Sequence, residues 1–330
     1  MRIFILIITN CMSIKPKNLQ ELLGIEHPII VAPMFLVSNV AMVKAAMNNN
    51  VAACIPALNY RTVQELRSAI LEMQGAKTEK GAFGINIIVN KSNLKYKEQL
   101  KICCELGVDF IITSLGNPSE VIKKAHQKGI KVFCDVVNLE HGKKVASLGC
   151  DALIAVNSKA GGHRGEMQPE DLIVQLSHYC DIPVISAGGV GNKEEMMQML
   201  SFGAVGVSIG SPFIASHEAS VSDAYKKACV TYGAHDIVVT QKISGTPCTV
   251  INTPYMQKIS TKESALERIL NRNVLLKKWV KYLRYRKGSS DVILAAKKAT
   301  YKTVWVAGPS IEHTHKVESV EAILNRFIQP

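Results

Sequence analysis

No C-x-x-C pair occurs among the nine cysteines, Cys11, Cys54, Cys103, Cys104, Cys134, Cys150, Cys180, Cys229 and Cys248. The total is odd, and several thiols sit inside apolar runs, such as Cys54 in 51–55 and Cys134 in 132–134. Neither a disulfide frame nor a zinc site is expected; the pattern is that of buried thiols in a reducing compartment, hence a cytoplasmic protein. No apolar run approaches the ~18 residues that span a bilayer. Residues 3–8 form a short apolar stretch behind Arg2, without the small residues of a signal cleavage site. Met12 then opens a polar segment that reads as the natural start of a soluble protein, so no membrane partner is expected. Internal repeats and low-complexity tracts are lacking. Acidic residues are outnumbered: 27 Asp and Glu stand against 39 Lys and Arg, a net charge of +12. That excess suits nucleic acid, membranes or anionic ligands, and equally a basic enzyme.

What is present is an ordinary globular composition, 47% apolar and 20% charged, which excludes wholesale disorder and supplies a large core. A length of 330 residues exceeds the usual single domain, but one barrel with an insertion accommodates it. Short apolar runs recur at 28–32, 51–55, 82–89, 109–113, 130–135, 152–156, 183–187 and 204–209, each nearly continuous, as strands buried on both faces should be. Amphipathic stretches separate them. Asn117-Pro118, Gln168-Pro169 and Asn192 followed by Glu194-Glu195 read as helix starts, and Gly107, Gly129 and Gly149 precede the fourth, fifth and sixth strands. Eight strand–helix units predict an α/β fold of the (β/α)8 TIM-barrel type. The rival, a doubly wound sheet, would carry a glycine-rich turn after its first strand. Ala32-Pro33-Met34-Phe35 stands there instead.

After Phe213 the rhythm breaks into helical patterns with no clear strand series, 222–233 and 262–286 being the best helix candidates. The expected organisation is therefore an N-terminal extension (1–18), a barrel (19–216), a mostly helical inserted cap region (217–300) and a return to the barrel (301–330). That return carries a β-like 303–307, a Gly308-Pro309 turn and a helix near 317–327.

In such a barrel the chemistry lies where the strands end. Ala187-Gly188-Gly189-Val190 follows the seventh strand and Gly210-Ser211-Pro212-Phe213 the eighth. Glycine lets backbone amides approach an anion, and two such loops at these strands predict a phosphate-bearing ligand. Glu in place of Gly188 would then repel the phosphate and abolish its retention while the barrel stays folded. Ala160-Gly161-Gly162-His163-Arg164-Gly165 follows the sixth strand, and its glycines present the imidazole of His163, a group suited to proton transfer near neutral pH. Arg164 is either an anion contact or a solvated loop residue. Met34 fits simple packing. Asn86 interrupts an otherwise apolar strand, so its amide needs partners, which a heteroaromatic ligand in the barrel mouth would supply.

Together these segments resemble the nitronate monooxygenase family of FMN-dependent barrel enzymes, formerly called 2-nitropropane dioxygenases. The match runs from Ala32-Pro33-Met34 through Asn86 and Ala160-Gly161-Gly162-His163-Arg164-Gly165 to Ala187-Gly188-Gly189-Val190, Gly210-Ser211 and the late Ala307-Gly308-Pro309-Ser310. It covers roughly residues 19 to 330. The family is related to the flavin-type enoyl-acyl-carrier-protein reductases. The resemblance implies that His163 is catalytic, that Ala32, Pro33, Met34, Asn86, Gly161, Ala187, Gly188, Gly189, Gly210 and Ser211 hold FMN, and that no metal is used. The chain departs from the family at Val156-Asn157-Ser158-Lys159, where Gln-Gly-x-Glu is common.

The activity so implied is oxidation of alkyl nitronates by O2 to a carbonyl compound and nitrite, a small-molecule reaction with His163 as base. The alternative is NAD(P)H-dependent reduction of an enoyl thioester through the same flavin, with His163 assisting protonation. The stretch 268–287 is basic and interleaved with Trp279, Tyr282 and Tyr285. It reads as a solvated face of the cap, so no nucleic-acid partner is expected, although such a helix suits RNA, an anionic membrane or an acidic carrier protein.

Overall fold

The computed structural model describes residues 18–90, 93–241, 246–259 and 304–329. Cys11, the 262–286 helix and the basic stretch 268–287 lie outside the described residues. Nine strands run from residue 29 to 209: β1 (Ile29–Val31), β2 (Ala52–Pro56), β3 (Ala82–Ile88), β4 (Phe110–Ser114), β5 (Lys131–Val136), β6 (Ala152–Val156), the two-residue β7 (Gly162–His163), β8 (Val184–Ala187) and β9 (Gly206–Ile209). All but β7 pair in parallel into a closed barrel, with β9 returning to β1. These eight coincide with the eight apolar runs in the sequence.

The helices are α1 (Leu19–Leu23), α2 (Val40–Asn48), α3 (Val63–Gly75), α4 (Tyr96–Leu106), α5 (Ser119–His126), α6 (Leu139–Ala146), α7 (Pro169–Tyr179), α8 (Lys193–Ser201), α9 (Asp223–Thr231), α10 (Pro254–Ile259) and α11 (Val320–Ile328). Side-chain caps fix many of their starts. Asn39, Thr62, Asn138, Asn192, Ser222 and Ser319 each accept a hydrogen bond from the backbone N–H three residues on. At α5 the cap position falls on Pro118, and Asn117 instead accepts from the N–H of Ser119 at 3.0 Å. Gly107, Gly129 and Gly149 take positive φ, of 77°, 71° and 84°, to turn the chain from helix into strand.

Period-two alternation divides the core into two layers. Ile30, Ala52, Cys54, Ala82, Phe110, Ile112, Phe133, Ala152, Ile154 and Ile185 fill the barrel interior, and the intervening residues, such as Ile29, Ala53, Phe83, Ile111 and Val207, pack outwards against the helices. Phe110 and Phe133 stack with centroids 5.2 Å apart, and Gly84 leaves the room, since a Cβ there would meet the Phe110 ring at 2.4 Å. Leu19, Leu22 and Ile25 join this interior layer from below, from α1 and the turn after it.

The C-terminal return completes the barrel. α11 packs between α8 and α2, the place of the helix expected after the eighth strand. Residues 217–259, where described, hold α9 and α10 but also two strands that the helical pattern does not announce, β10 (Ile237–Thr240) and β11 (Cys248–Ile251). They form an antiparallel sheet in the order β10-β11-β7. Val306 bridges to Val250, as the β-like run at 303–307 leads one to expect. Seven of the eight described cysteines are buried.

Candidate active site

The inward positions one step beyond the apolar interior form the rim of the barrel mouth. They change character around the ring. On β8, β9 and β1 they are Ala187, Gly210 and Ala32, with no side chain longer than a methyl. On β3, β4 and β5 they are Asn86, Ser114 and Asp135.

The small arc is built by glycines packed closely against neighbouring loops. A Cβ on Gly210 would lie 3.3 Å from Met34 Sδ and 3.5 Å from Ala32 Cβ, so the loops after β1 and β9 touch. The turn Ala32-Pro33-Met34 is itself held by Ser38, whose hydroxyl donates to the Ala32 carbonyl at 2.9 Å and accepts from the Met34 N–H at 2.9 Å. Gly188 and Gly189 have φ of 111° and 75°. A Cβ on Gly188 would sit 2.4 Å from the backbone nitrogen of Ala160, and one on Gly189 would sit 2.8 Å from Lys159 Cδ. The expectation that a Gly188→Glu chain keeps its fold is therefore corrected: any side chain at 188 collides with the loop after β6, whatever its charge. Gly161 likewise faces Ser211 Oγ and the backbone of Gly308, and the N–H of Gly308 donates to Ser211 Oγ at 2.8 Å. The structure thus brings Gly161, Ser211 and Gly308 together, and Gly188 with Ala160.

Asn157 is a tie that the sequence pattern does not single out. It is fully buried, donates from Nδ2 to the Gly188 carbonyl at 3.0 Å, and accepts on Oδ1 from the Lys159 N–H at 2.8 Å. It stands within the segment that departs from Gln-Gly-x-Glu, and it joins the loop after β6 to the loop after β8.

His163 lies on β7, opposite Cys248 of β11, and is exposed. The loop before it is fastened from the cap: Thr249 donates from Oγ1 to the Ala160 carbonyl at 2.7 Å. Arg164 donates from Nη1 to the Ser158 carbonyl at 2.9 Å, so part of its guanidinium is spent on the same loop.

Across the ring, Asn86 is buried and its Nδ2 donates to the Ile112 carbonyl at 3.2 Å and to Ser114 Oγ at 2.8 Å. Ser114 donates in turn to Asp135 Oδ2. The partners that Asn86 needs are thus partly supplied by the barrel itself. Burial pushes the Asp135 carboxyl up to about 6, against the pull of the Ser114 hydrogen bond. Ser114 and Asp135 are absent from the sequence-derived site. Their inward parity with Phe110 and Ile112 on β4, and with Phe133 on β5, is the signal that finds them.

This geometry matches known proteins. The family model described as nitronate monooxygenase matches residues 16–329. A curated relative from Rhodococcus jostii, named (3aS,4S,5R,7aS)-5-hydroxy-7a-methyl-1-oxo-octahydro-1H-indene-4-carboxyl-CoA dehydrogenase, is 31% identical over 248 residues, 75% of this chain and 69% of its own. A probable nitronate monooxygenase of Staphylococcus saprophyticus is 29% identical over 198 residues, 56% of each chain. Among solved structures, FabK from Thermotoga maritima superposes with a TM-score of 0.82 at 27% identity, covering 94% of both chains. A closed eight-stranded barrel, a glycine-lined rim carrying the family's motifs, and a match along nearly the whole chain lead to one conclusion: the chain belongs to the nitronate monooxygenase family of oxidoreductases.

Proposed function

We propose that the protein holds FMN in the barrel mouth and oxidises alkyl nitronates with O2 to a carbonyl compound and nitrite. The observation that carries this reading is the divided rim. Ala32, Ala187 and Gly210 leave a floor without bulky side chains, on which a planar ring system fits, while Asn86 offers it a polar edge. The Gly188-Gly189 turn and Gly210 expose backbone beside that floor, and the aliphatic stem of Lys159 packs against Gly189, a turn whose backbone N–H groups suit one phosphate. Pro33, Met34, Gly161 and Ser211 complete the wall through the contacts that lock these loops together.

FMN, when bound, would supply the redox chemistry that links the substrate to O2. The chain's own part is placement and proton control. His163, exposed on β7 above the loop after β6, takes a proton from the carbon of a neutral nitroalkane, or steadies the negative charge of a nitronate. β11 holds that histidine loop through Thr249, so the base sits on a sheet and not on a free loop.

A second reading is supported by the relatives. The carboxyl-CoA dehydrogenase from Rhodococcus jostii exceeds the nitronate monooxygenase of Staphylococcus saprophyticus in both identity and span. In that reading the substrate is an enoyl thioester, NAD(P)H supplies the two electrons that reduce its double bond through the flavin, and His163 moves the proton at the carbon next to the thioester carbonyl. The absorption spectrum of the purified, FMN-loaded protein under anaerobic conditions separates the two. Bleaching by ethyl nitronate and not by NADH or NADPH is expected. Bleaching by a reduced nicotinamide, reversed by an enoyl-CoA, would replace the first reading with the second. A protein that takes up no flavin would end both.

A further inference from the structure

Asp135 is an unusual occupant of a barrel interior. It lies two residues above the buried Phe133 on β5, and among the described residues no cation pairs with it. It accepts a hydrogen bond from Ser114, on the neighbouring strand, which bonds in turn to Asn86 on the strand beyond. We propose that Asp135 is a positioning residue of the barrel mouth: through Ser114 it fixes the Asn86 amide with its oxygen turned to the ligand, and it takes up a proton when a ligand closes over it.

The direction of the relay follows from hydrogen counting. Ser114 has one hydroxyl hydrogen. A carboxylate accepts it, which leaves only lone pairs for Asn86, so Asn86 must offer Nδ2. The Ile112 carbonyl, an acceptor only, demands the same orientation. Both amide hydrogens are then spent inside the barrel, and Oδ1 is the group left to accept from a ring N–H in the mouth. Asp135, through an oxygen that still accepts when the carboxyl is protonated, thereby reinforces the orientation that the Ile112 carbonyl also demands. This inference rests on the reading of the mouth as a flavin site.

The proton follows from solvation. Burial already favours the neutral acid, and a ligand laid across the mouth removes the water that still reaches the carboxylate, which favours it further. Cys54 faces the same space from β2, and burial together with Asp135 pushes its thiol well up, so it stays protonated. On β5 itself, Cys134 shares the field of Asp135. Comparing Asp135→Asn with the wild type at each pH cancels both thiols and the phosphate of FMN, which titrates near pH 6.

The experiment is titration of the apoprotein with FMN, followed by flavin fluorescence, from pH 5.5 to 8.5 in the wild type, Asp135→Asn and Ser114→Ala. Asn at 135 still accepts the Ser114 hydroxyl, so its affinity should match the wild type at the acid end. The ratio of wild-type to Asp135→Asn Kd should then rise about fivefold or more across the range. Ser114→Ala removes the link and leaves an Asn86 hydrogen unpaired, so it should weaken FMN on the order of tenfold at every pH. A ratio that does not change with pH overturns the proton uptake, and Ser114→Ala binding as the wild type overturns the relay. Should no variant bind FMN, the cofactor reading fails by itself. The relay is then judged by apoprotein unfolding: wild-type stability should fall relative to Asp135→Asn between about pH 4 and 6, and further when Ser114 is also Ala. Parallel curves would overturn it.

Discussion

Where β8, β9 and β1 end, glycine and alanine let neighbouring loops close in; where β3, β4 and β5 end, side chain bonds to side chain. The first arc gains its shape from missing atoms. Gly188, Gly161 and Gly308 are places where a single methyl group would meet another loop's main chain. The second arc gains its shape from three polar groups whose donors and acceptors match. The difference teaches where each half is vulnerable. The glycine arc should be broken by any enlargement, even a neutral one. The polar arc should survive isosteres and respond to protonation.

The largest effect is expected at His163, which is exposed on β7, paired with β11. His163→Asn should keep FMN and the fold but lower turnover of neutral nitroalkanes by ~10²–10⁴-fold, the usual worth of a positioned base. Nitronates are already deprotonated, so their oxidation should suffer less. Steady-state kinetics on both substrates at several pH values is the measurement, and equal small losses on both would remove the base assignment.

Gly188→Ala tests the glycine arc without adding charge. The φ of 111° and the 2.4 Å approach to Ala160 should together cost about 2–4 kcal/mol in denaturant unfolding, with loss of flavin retention. An unchanged midpoint would mean that the loops have room to part.

Asp135→Asn should act in the opposite direction. The carboxyl is held at about 6 in the folded protein against about 4 in the unfolded chain. The folded state therefore binds the proton more tightly. Its relative stability is greatest below pH 4, falls as the pH rises through 6, and is level above that. At pH 7 the wild type carries this penalty in full, so the Asn variant should be more stable there by up to about 2–3 kcal/mol, and by none of this amount at pH 3.5.

The smallest change is predicted for Asn157→Ala. It deletes the bonds to the Gly188 carbonyl and the Lys159 N–H and should destabilise by about 1–2 kcal/mol. Flavin should dissociate faster from this variant, since the loop after β8 loses its brace.

The two arcs also differ in how far they can be read before folding. The eight strands announce themselves because parallel strands buried on both faces leave continuous apolar runs, and the glycine arc because paired glycines after a strand have few other uses. Ser114 and Asp135 are hidden by their ordinariness: a Ser in Thr113-Ser114-Leu115-Gly116 looks like a strand giving way to a loop. Only the parity set by Phe110 and Phe133 turns them inwards, and only the parallel pairing of β3 with β4 and of β4 with β5 brings them beside Asn86. β10 and β11 escape for a related reason. Ile237–Thr240 and Cys248–Ile251 are rich in β-branched residues and pair with each other, but β11 is anchored on the two-residue β7, about 80 positions away in sequence, and local periodicity carries no record of so distant a pairing. Asn157 escapes because its worth lies in a contact with a loop thirty-one residues on.

At the opposite end of the barrel, Leu19 lies so close to Gly206 that a Cβ there would be 2.5 Å from its Cδ2, and Leu22 and Ile25 fill the space beside it. The barrel is a cup with a stoppered base. Whatever enters the mouth must leave by the same door, and nothing can be threaded through the barrel.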